Sequence, residues 1–408
     1  MPSESRLAYD RGLEYHRLVK QGSTPSPDPV PPKGALPRGS QERLLSVDAL
    51  RGFDMFWLLG GEQIVHGLCA GAAVGTLAYN LNQQFEHVEW AGFHFYDFIF
   101  PLFLFLIGVA IPLSIDKRLA QGDTRAAILR HAFVRFCFMV LIGFFIHGNL
   151  QSWNIQEMRL SYSVLMMLGF GYLIAVVLVL YTSLRAQILI TAAILLIYWA
   201  LQMFVPVPGH VAGAFEKGKI FSDWVYDLTV GKLGAPWKSP WGRGFLITLW
   251  NHGATAMLGV FAARILQTSW KNLRKLKWLV ALGAGCLAAG WLWSLHLPIV
   301  KNRWTSSYVL WCGGLSYLLL ALFWWAIDVK RWHRGLGIWL AIGANSILAY
   351  IINSLFMGGF VAFAGALFGN LKPLMGDYLH ALLMVLVSYG LAWLLLAYLK
   401  RQRVYLRL

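Results

Sequence analysis

From Leu44 onward the chain is a succession of apolar stretches, each near the ~20 residues that an α-helix needs to cross a bilayer. About ten recur, with cores at 45–68, 95–115, 128–148, 161–181, 186–204, 245–266, 276–296, 307–327, 337–356 and 378–399. In hydrocarbon every backbone N–H and C=O must find a partner within the protein, so repeated runs of this length fold as helices. An all-α polytopic membrane protein with about ten transmembrane helices is expected. Charge points the same way: 13% of residues are charged, against roughly 25% in a soluble domain.

The net charge of +16 would suit a nucleic-acid binder if the cations formed one patch. They lie instead in short runs between spans, and no nucleic-acid partner is expected. With the N-terminal segment inside, the inward segments hold 24 of the 35 Lys and Arg and the outward ones 9, while Arg51 and Arg135 fall within spans. The positive-inside rule then puts both termini in the cytosol. Residues 1–42 carry seven of the fifteen prolines and no run of spanning length, and read as a cytosolic disordered or Pro-rich tail. The outward loop 205–243, with Trp224, Trp237 and Trp241, reads as a lid or binding wall rather than a separate domain. Cys69, Cys137, Cys286 and Cys312 stand singly, and none of the eleven histidines makes an HxH or HxxxH pair. Neither a disulfide framework nor a metal site is expected.

Ionisable side chains within spans are costly, so each raises a functional hypothesis. Asp48 and Arg51 share one helical face and could pair, with Gly52 letting another backbone come close. Such a pair either fixes helix packing or helps to bind an anionic ligand. Asp54 and Glu62 lie further along the same helix. For Arg135, snorkelling to the inner surface is sufficient explanation. His87 and Glu89 precede Trp90, Gly92 and Asp97, and a histidine among acids suits proton transfer near neutral pH. A lone interfacial histidine can equally be structural. Asn251-His252 and Gly343-Ala344-Asn345-Ser346 either bridge helices by hydrogen bonds or line a tunnel.

Taken together and in order, these segments resemble a known family. They are RLLSVDALRG at 43–52, HVEWAG at 87–92, DFIFPLFLFLIG at 97–108, PVPG at 206–209, Asn251 followed by Leu258-Gly259-Val260, KNRWTSSYV at 301–309 and GANSILAY at 343–350. The chain resembles bacterial relatives of heparan-alpha-glucosaminide N-acetyltransferase, membrane enzymes that move acetyl from acetyl-CoA onto a terminal glucosamine across a bilayer. The resemblance implies that 43–408 is a transmembrane acyltransferase domain of a homodimer in a bacterial inner membrane, surrounded by lipid. Its substrates would be cytosolic acetyl-CoA and an amino-sugar acceptor on the periplasmic side, with no metal. It also implies that His87, as the histidine before x-x-W-x-G, is catalytic, with Asp97 orienting its imidazole. Arg51, Asp48, Asn251, Asn345 and Ser346 would hold the donor, and Glu62, Trp90 and Asn302 the acceptor. Direct attack on the thioester and an acetyl-histidine intermediate both stay open. The chain departs from the family at Leu165-Met166-Met167-Leu168, where relatives carry an Arg while this chain has Arg159 and Ser161 slightly earlier. It departs again at Glu62, where the human-type enzyme has an Asn, and at Asn353-Ser354, which lack the animal enzymes' histidine and acid. Two other classes compete: an amino-sugar permease that performs no chemistry, and an O-acetyltransferase of a cell-envelope glycan.

Overall fold

The computed structural model describes residues 44–148, 154, 163–213, 215–233 and 244–405. The tail 1–42, Arg159, Ser161, Trp237 and Trp241 lie outside the described residues. In chain order the longer elements are α1 (Leu45–Phe56), a π-helical turn (Trp57–Gly61), α2 (Glu62–Cys69), α3 (Leu77–Gln83), α4 (Phe95–Ala120), α5 (Arg125–His147), α6 (Val164–Tyr181), α7 (Leu184–Phe204) and α8 (Phe221–Leu228). There follow α9 (Phe245–Gln267), α10 (Asn272–Ser294), α11 (Ser306–Phe323), α12 (Gly337–Ala344), α13 (Ser346–Ile351), α14 (Met357–Phe368) and α15 (Lys372–Arg401). All are helices, and the chain is an all-α multi-pass membrane protein.

Among the described residues, eight helical runs are long and apolar enough to cross a membrane. Ten spans were expected, and the difference lies in two broken ones. The first is interrupted between α1 and α2, where Gly60 has φ +122° and a Cβ would lie 1.8 Å from the Tyr389 hydroxyl. Only glycine takes that conformation freely. The ninth is interrupted at Asn345, whose side chain turns to donate to the Val404 carbonyl at 3.1 Å. Beyond it, an apolar run rich in small residues forms α14.

Helix starts follow ordinary capping chemistry. The hydroxyls of Thr124, Ser163, Ser183 and Thr305 accept from backbone N–H groups three residues on, satisfying donors that the first turn leaves open. At α4 the side chain works in reverse, Asp97 Oδ2 accepting from the His94 N–H at 3.1 Å. Pro101, one turn further, supplies no N–H to the Asp97 carbonyl. The buried Tyr308 hydroxyl of α11 donates to that carbonyl instead, at 2.6 Å.

The core is α4 and α9 laid backbone to backbone. A Cβ at Gly108 would stand 1.9 Å from the Ala256 carbonyl oxygen, and one at Gly259 1.9 Å from that of Phe105. Membrane helices gain little from hydrophobic association in lipid, so close packing through small residues holds them. The α1–α12 contact is built alike, with Gly52 against the Trp339 backbone and Gly343 against that of Asp48. The other side of the ledger is the periphery, where Phe133 and Phe138 of α5, Leu189 and Ile197 of α7 and Trp291 and Leu292 of α10 stay exposed, as suits contact with lipid.

Candidate active site

The HVEWAG loop and the start of α4 bring His87 and Asp97 together. His87 Nδ1 lies 2.9 Å from Asp97 Oδ1, and the carboxylate is buried while the imidazole is half-exposed. A carboxylate only accepts, so Nδ1 carries the proton and Nε2 is left as acceptor. Asp97 Oδ2 also takes the backbone N–H groups of Val88 (3.4 Å) and His94 (3.1 Å). These bonds fix the carboxylate and so the plane of the ring, which also stacks on Tyr96 with centroids 4.9 Å apart.

A third charged group stands in the same place. Lys301 Nζ is 3.2 Å from Asp97 Oδ1, 2.9 Å from His87 Nδ1 and 3.2 Å from Nε2. Burial pushes the Lys301 pKa down, and the negative charge of Asp97 works against that shift. Its short 3-10 turn, Lys301–Arg303, is held from several sides. Asn251 Nδ2 of α9 donates to the Trp304 carbonyl at 2.7 Å, and the Trp304 ring stacks on His252 at 4.2 Å. The Arg303 guanidinium pairs with the buried Asp223 of α8, Nε to Oδ1 at 2.8 Å. The Gly92 N–H donates to the Ile299 carbonyl at 2.9 Å, joining the loop of His87 to the segment leading into Lys301.

His87, Lys301 and Asn302 face a cavity of about 470 Å3, whose further walls are Tyr96, Ile99 and Phe100 of α4, His147 of α5, Val164 and Met167 of α6, Thr248 and His252 of α9, and Trp304. A second cavity, about 260 Å3, follows along α4. Phe103, Ile107, Ser114 and Arg118 of α4 line it, with Arg51 of α1, His131 and Arg135 of α5, Leu165, Leu168 and Tyr172 of α6, and Ser346. Phe100 of the first cavity and Phe103 of the second are three residues apart on α4, and Met167 and Leu168 are adjacent on α6, so the same two helices contribute to both cavities.

The candidates from sequence divide between these cavities and their surroundings. His87 and Asn302 line the first cavity, with Asp97 directly behind His87. Glu62 sits behind it too, hydrogen-bonded to Tyr96 rather than on the wall. Trp90 lies under the Arg303 guanidinium, 5.3 Å from ring centre, and its Nε1–H donates to the Phe215 carbonyl. Arg51 and Ser346 line the second cavity, Arg51 pairing with Asp48 at 3.5 Å and donating to the Leu106 carbonyl at 3.4 Å. Asn251 and Asn345 are buried braces that line neither cavity. Arg135 does not run to the surface as expected: its guanidinium lies 4.9 Å over the Tyr172 ring in the cavity wall. The described part of the 205–243 loop braces the Lys301 turn through Asp223 without lining the cavity.

Sequence reasoning passed over Lys301, Tyr96, Arg118 and His131. A signal existed for two of them: His131 and Arg135 are four apart and share a helix face, and Lys301 is one of few outward cations, next to Asn302. No group of three or more His, Cys, Asp or Glu among the described residues could hold a metal ion.

Residues 43–234 match a family model described as a domain of unknown function, DUF5009. The chain is 27% identical over 324 residues to heparan-alpha-glucosaminide N-acetyltransferase of Mus musculus, covering 65% of this chain and 48% of that protein. It is 26% identical over 329 residues to the Homo sapiens enzyme of the same name, covering 67% and 49%. The chain spans about half the length of the curated relatives it matches. The chain is thus distantly similar to the heparan-alpha-glucosaminide N-acetyltransferases.

Proposed function

We propose that this protein is a transmembrane acetyltransferase that transfers acetyl from cytosolic acetyl-CoA to the amine of glucosamine, or of a glucosamine-containing saccharide, on the periplasmic side of a bacterial inner membrane. One observation carries the reading: a histidine held by a buried carboxylate faces a cavity, and the helices α4 and α6 that wall it also wall a second cavity lined by three arginines. The polyanionic nucleotide of the donor suits Arg51, Arg118 and Arg135, since charge-assisted bonds to phosphate are the strong ones. The neutral pantetheine arm suits the apolar layer of Ile107, Phe103 and Phe100, with the thioester ending beside His87.

His87 Nε2 then takes the proton from the acceptor amine as its nitrogen attacks the thioester carbonyl, while Asp97 keeps the ring oriented and stabilises the imidazolium. When the C–S bond breaks, the sulfur leaves with that proton. The distant similarity to N-acetyltransferases supports amide formation over the ester of an O-acetyltransferase. The test uses the full-length protein in proteoliposomes with labelled acetyl-CoA inside or outside and glucosamine opposite. Label enters the sugar as an alkali-stable amide, and His87→Ala lowers the rate by about 10²–10⁴-fold while the protein still elutes as a folded species. Uptake of unmodified sugar without acetyl-CoA would make it a permease, and full activity of His87→Ala would remove His87 from the chemistry.

A further inference from the structure

We propose that Lys301 is a catalytic residue of the His87 cavity, whose ammonium receives the negative charge that develops on the acyl carbonyl oxygen as the acceptor attacks. The inference rests on the acetyl-transfer reading and adds the group that stabilises the transition state.

Position is the first argument. Nζ lies 3.2 Å from His87 Nε2, on the wall of the same cavity. A carbonyl carbon attacked by a nucleophile whose proton is leaving to Nε2 can turn its oxygen to within hydrogen-bond reach of that ammonium. Donor supply is the second. Asp97 already accepts from the His87 ring and two backbone N–H groups, so the carboxylate is held without Lys301. An ammonium has three protons, of which Asp97 Oδ1 takes one; His87 Nδ1, carrying its own proton, accepts none, so the other two are directed to the Nε2 side of the ring and the cavity. Lys301 is also the one lysine or arginine among the described residues that line this cavity.

Rigidity is the third. A charge helps most where it is fixed before the reaction and need not reorganise during it. The Lys301–Arg303 turn is fastened to α9 through Asn251, to α8 through Asp223 and to the His87 loop through Gly92. An ion pair with no purpose beyond packing has no need of so firm a mount.

The step balances. The amine lone pair forms the N–C bond, the carbonyl π pair moves to oxygen opposite the ammonium, and the amine proton goes to Nε2. On collapse the pair returns, the C–S bond breaks, and the sulfur takes the proton from Nε2. Lys301 keeps its own protons throughout, so the chemistry needs its charged form. Because burial lowers its pKa, the ammonium is lost at lower pH than an exposed lysine's, and activity falls on the alkaline side through that titration.

The experiment compares full-length wild type, Lys301→Met and Lys301→Arg in proteoliposomes with acetyl-CoA and glucosamine, reading kcat, both KM values and the pH profile. Removal of a charge-stabilising donor typically lowers kcat by about 10²–10³-fold. Lys301→Met is expected to do so with little change in donor KM, while Lys301→Arg keeps far more activity and moves the alkaline limb to higher pH, its guanidinium staying charged. Wild-type kcat in Lys301→Met overturns the proposal, as does equal loss in both variants with no movement of the limb in Lys301→Arg. If Lys301→Met does not fold, the limb in Lys301→Arg decides alone. A wild type that binds the donor yet acetylates no amine fails at the earlier reading and takes this one with it; an active wild type with an active Lys301→Met fails here only.

Discussion

Asp97 is secured twice over, by its carboxylate and by its carbonyl. Pro101 deprives the carbonyl of its helical partner, and Tyr308 restores one from a helix more than two hundred residues away in sequence. Tyr308→Phe should therefore leave a buried carbonyl unpaired and destabilise the protein by about 1–3 kcal/mol, read as a lower unfolding midpoint in detergent; an unchanged midpoint would show that water reaches the site. The His87–Asp97 pairing was expected from the family resemblance, and it is short in range, its residues lying within one loop and the first turn of α4. Lys301 was not, since it is 214 residues from His87 and only the fold juxtaposes them. Arg135 was misread for a related reason. In a helix apolar on every side, spacing cannot say whether a cation meets lipid headgroups or a neighbour such as Tyr172.

At the level of elements, glycine decides where helices touch. A Cβ at Gly52 would lie 1.8 Å from the Trp339 carbonyl oxygen, whereas one at Gly358 of α14 meets nothing within 4 Å. Gly52→Ala should lower the unfolding midpoint clearly, because backbone cannot give way as a side-chain tip can. Gly358→Ala should leave it level or raise it, Ala being roughly 0.5–1 kcal/mol better than Gly in a helix interior. Equal midpoints for the two variants would mean that α1 and α12 do not pack as described. The close approach at Gly52 was visible in the sequence, as were the spans themselves, since length and apolarity report directly on what lipid tolerates. The breaks were harder to see. Gly60 lies in a Trp-Leu-Leu-Gly-Gly run that reads equally well as a continuous helix, and Asn345 ends one because of a bond to Val404 at the far end of the chain.

Over the whole molecule, the positive-inside reading assigns most of the cations to the loops between spans, and a few cations line cavities instead. Arg51, Arg118 and Arg135 gather at one cavity, while Lys301 is the one Lys or Arg among the described residues at the other. If the first group grips the donor's phosphates, Arg135→Gln should raise the donor KM by about tenfold or more, the worth of one charge-assisted bond, and leave kcat near wild type; a fall in kcat at constant KM would reassign Arg135 to the chemistry. The two cavities are strung along a single helix, α4, with Asp97 at one end and Arg118 at the other. At 1.5 Å of rise per residue that interval is about 32 Å, which makes α4 a measuring rod. On the proposed donor placement, selection among thioesters would not need to recognise the acyl group at all: a donor would be accepted when the distance from its charged end to its reactive carbonyl matches a length built into the backbone.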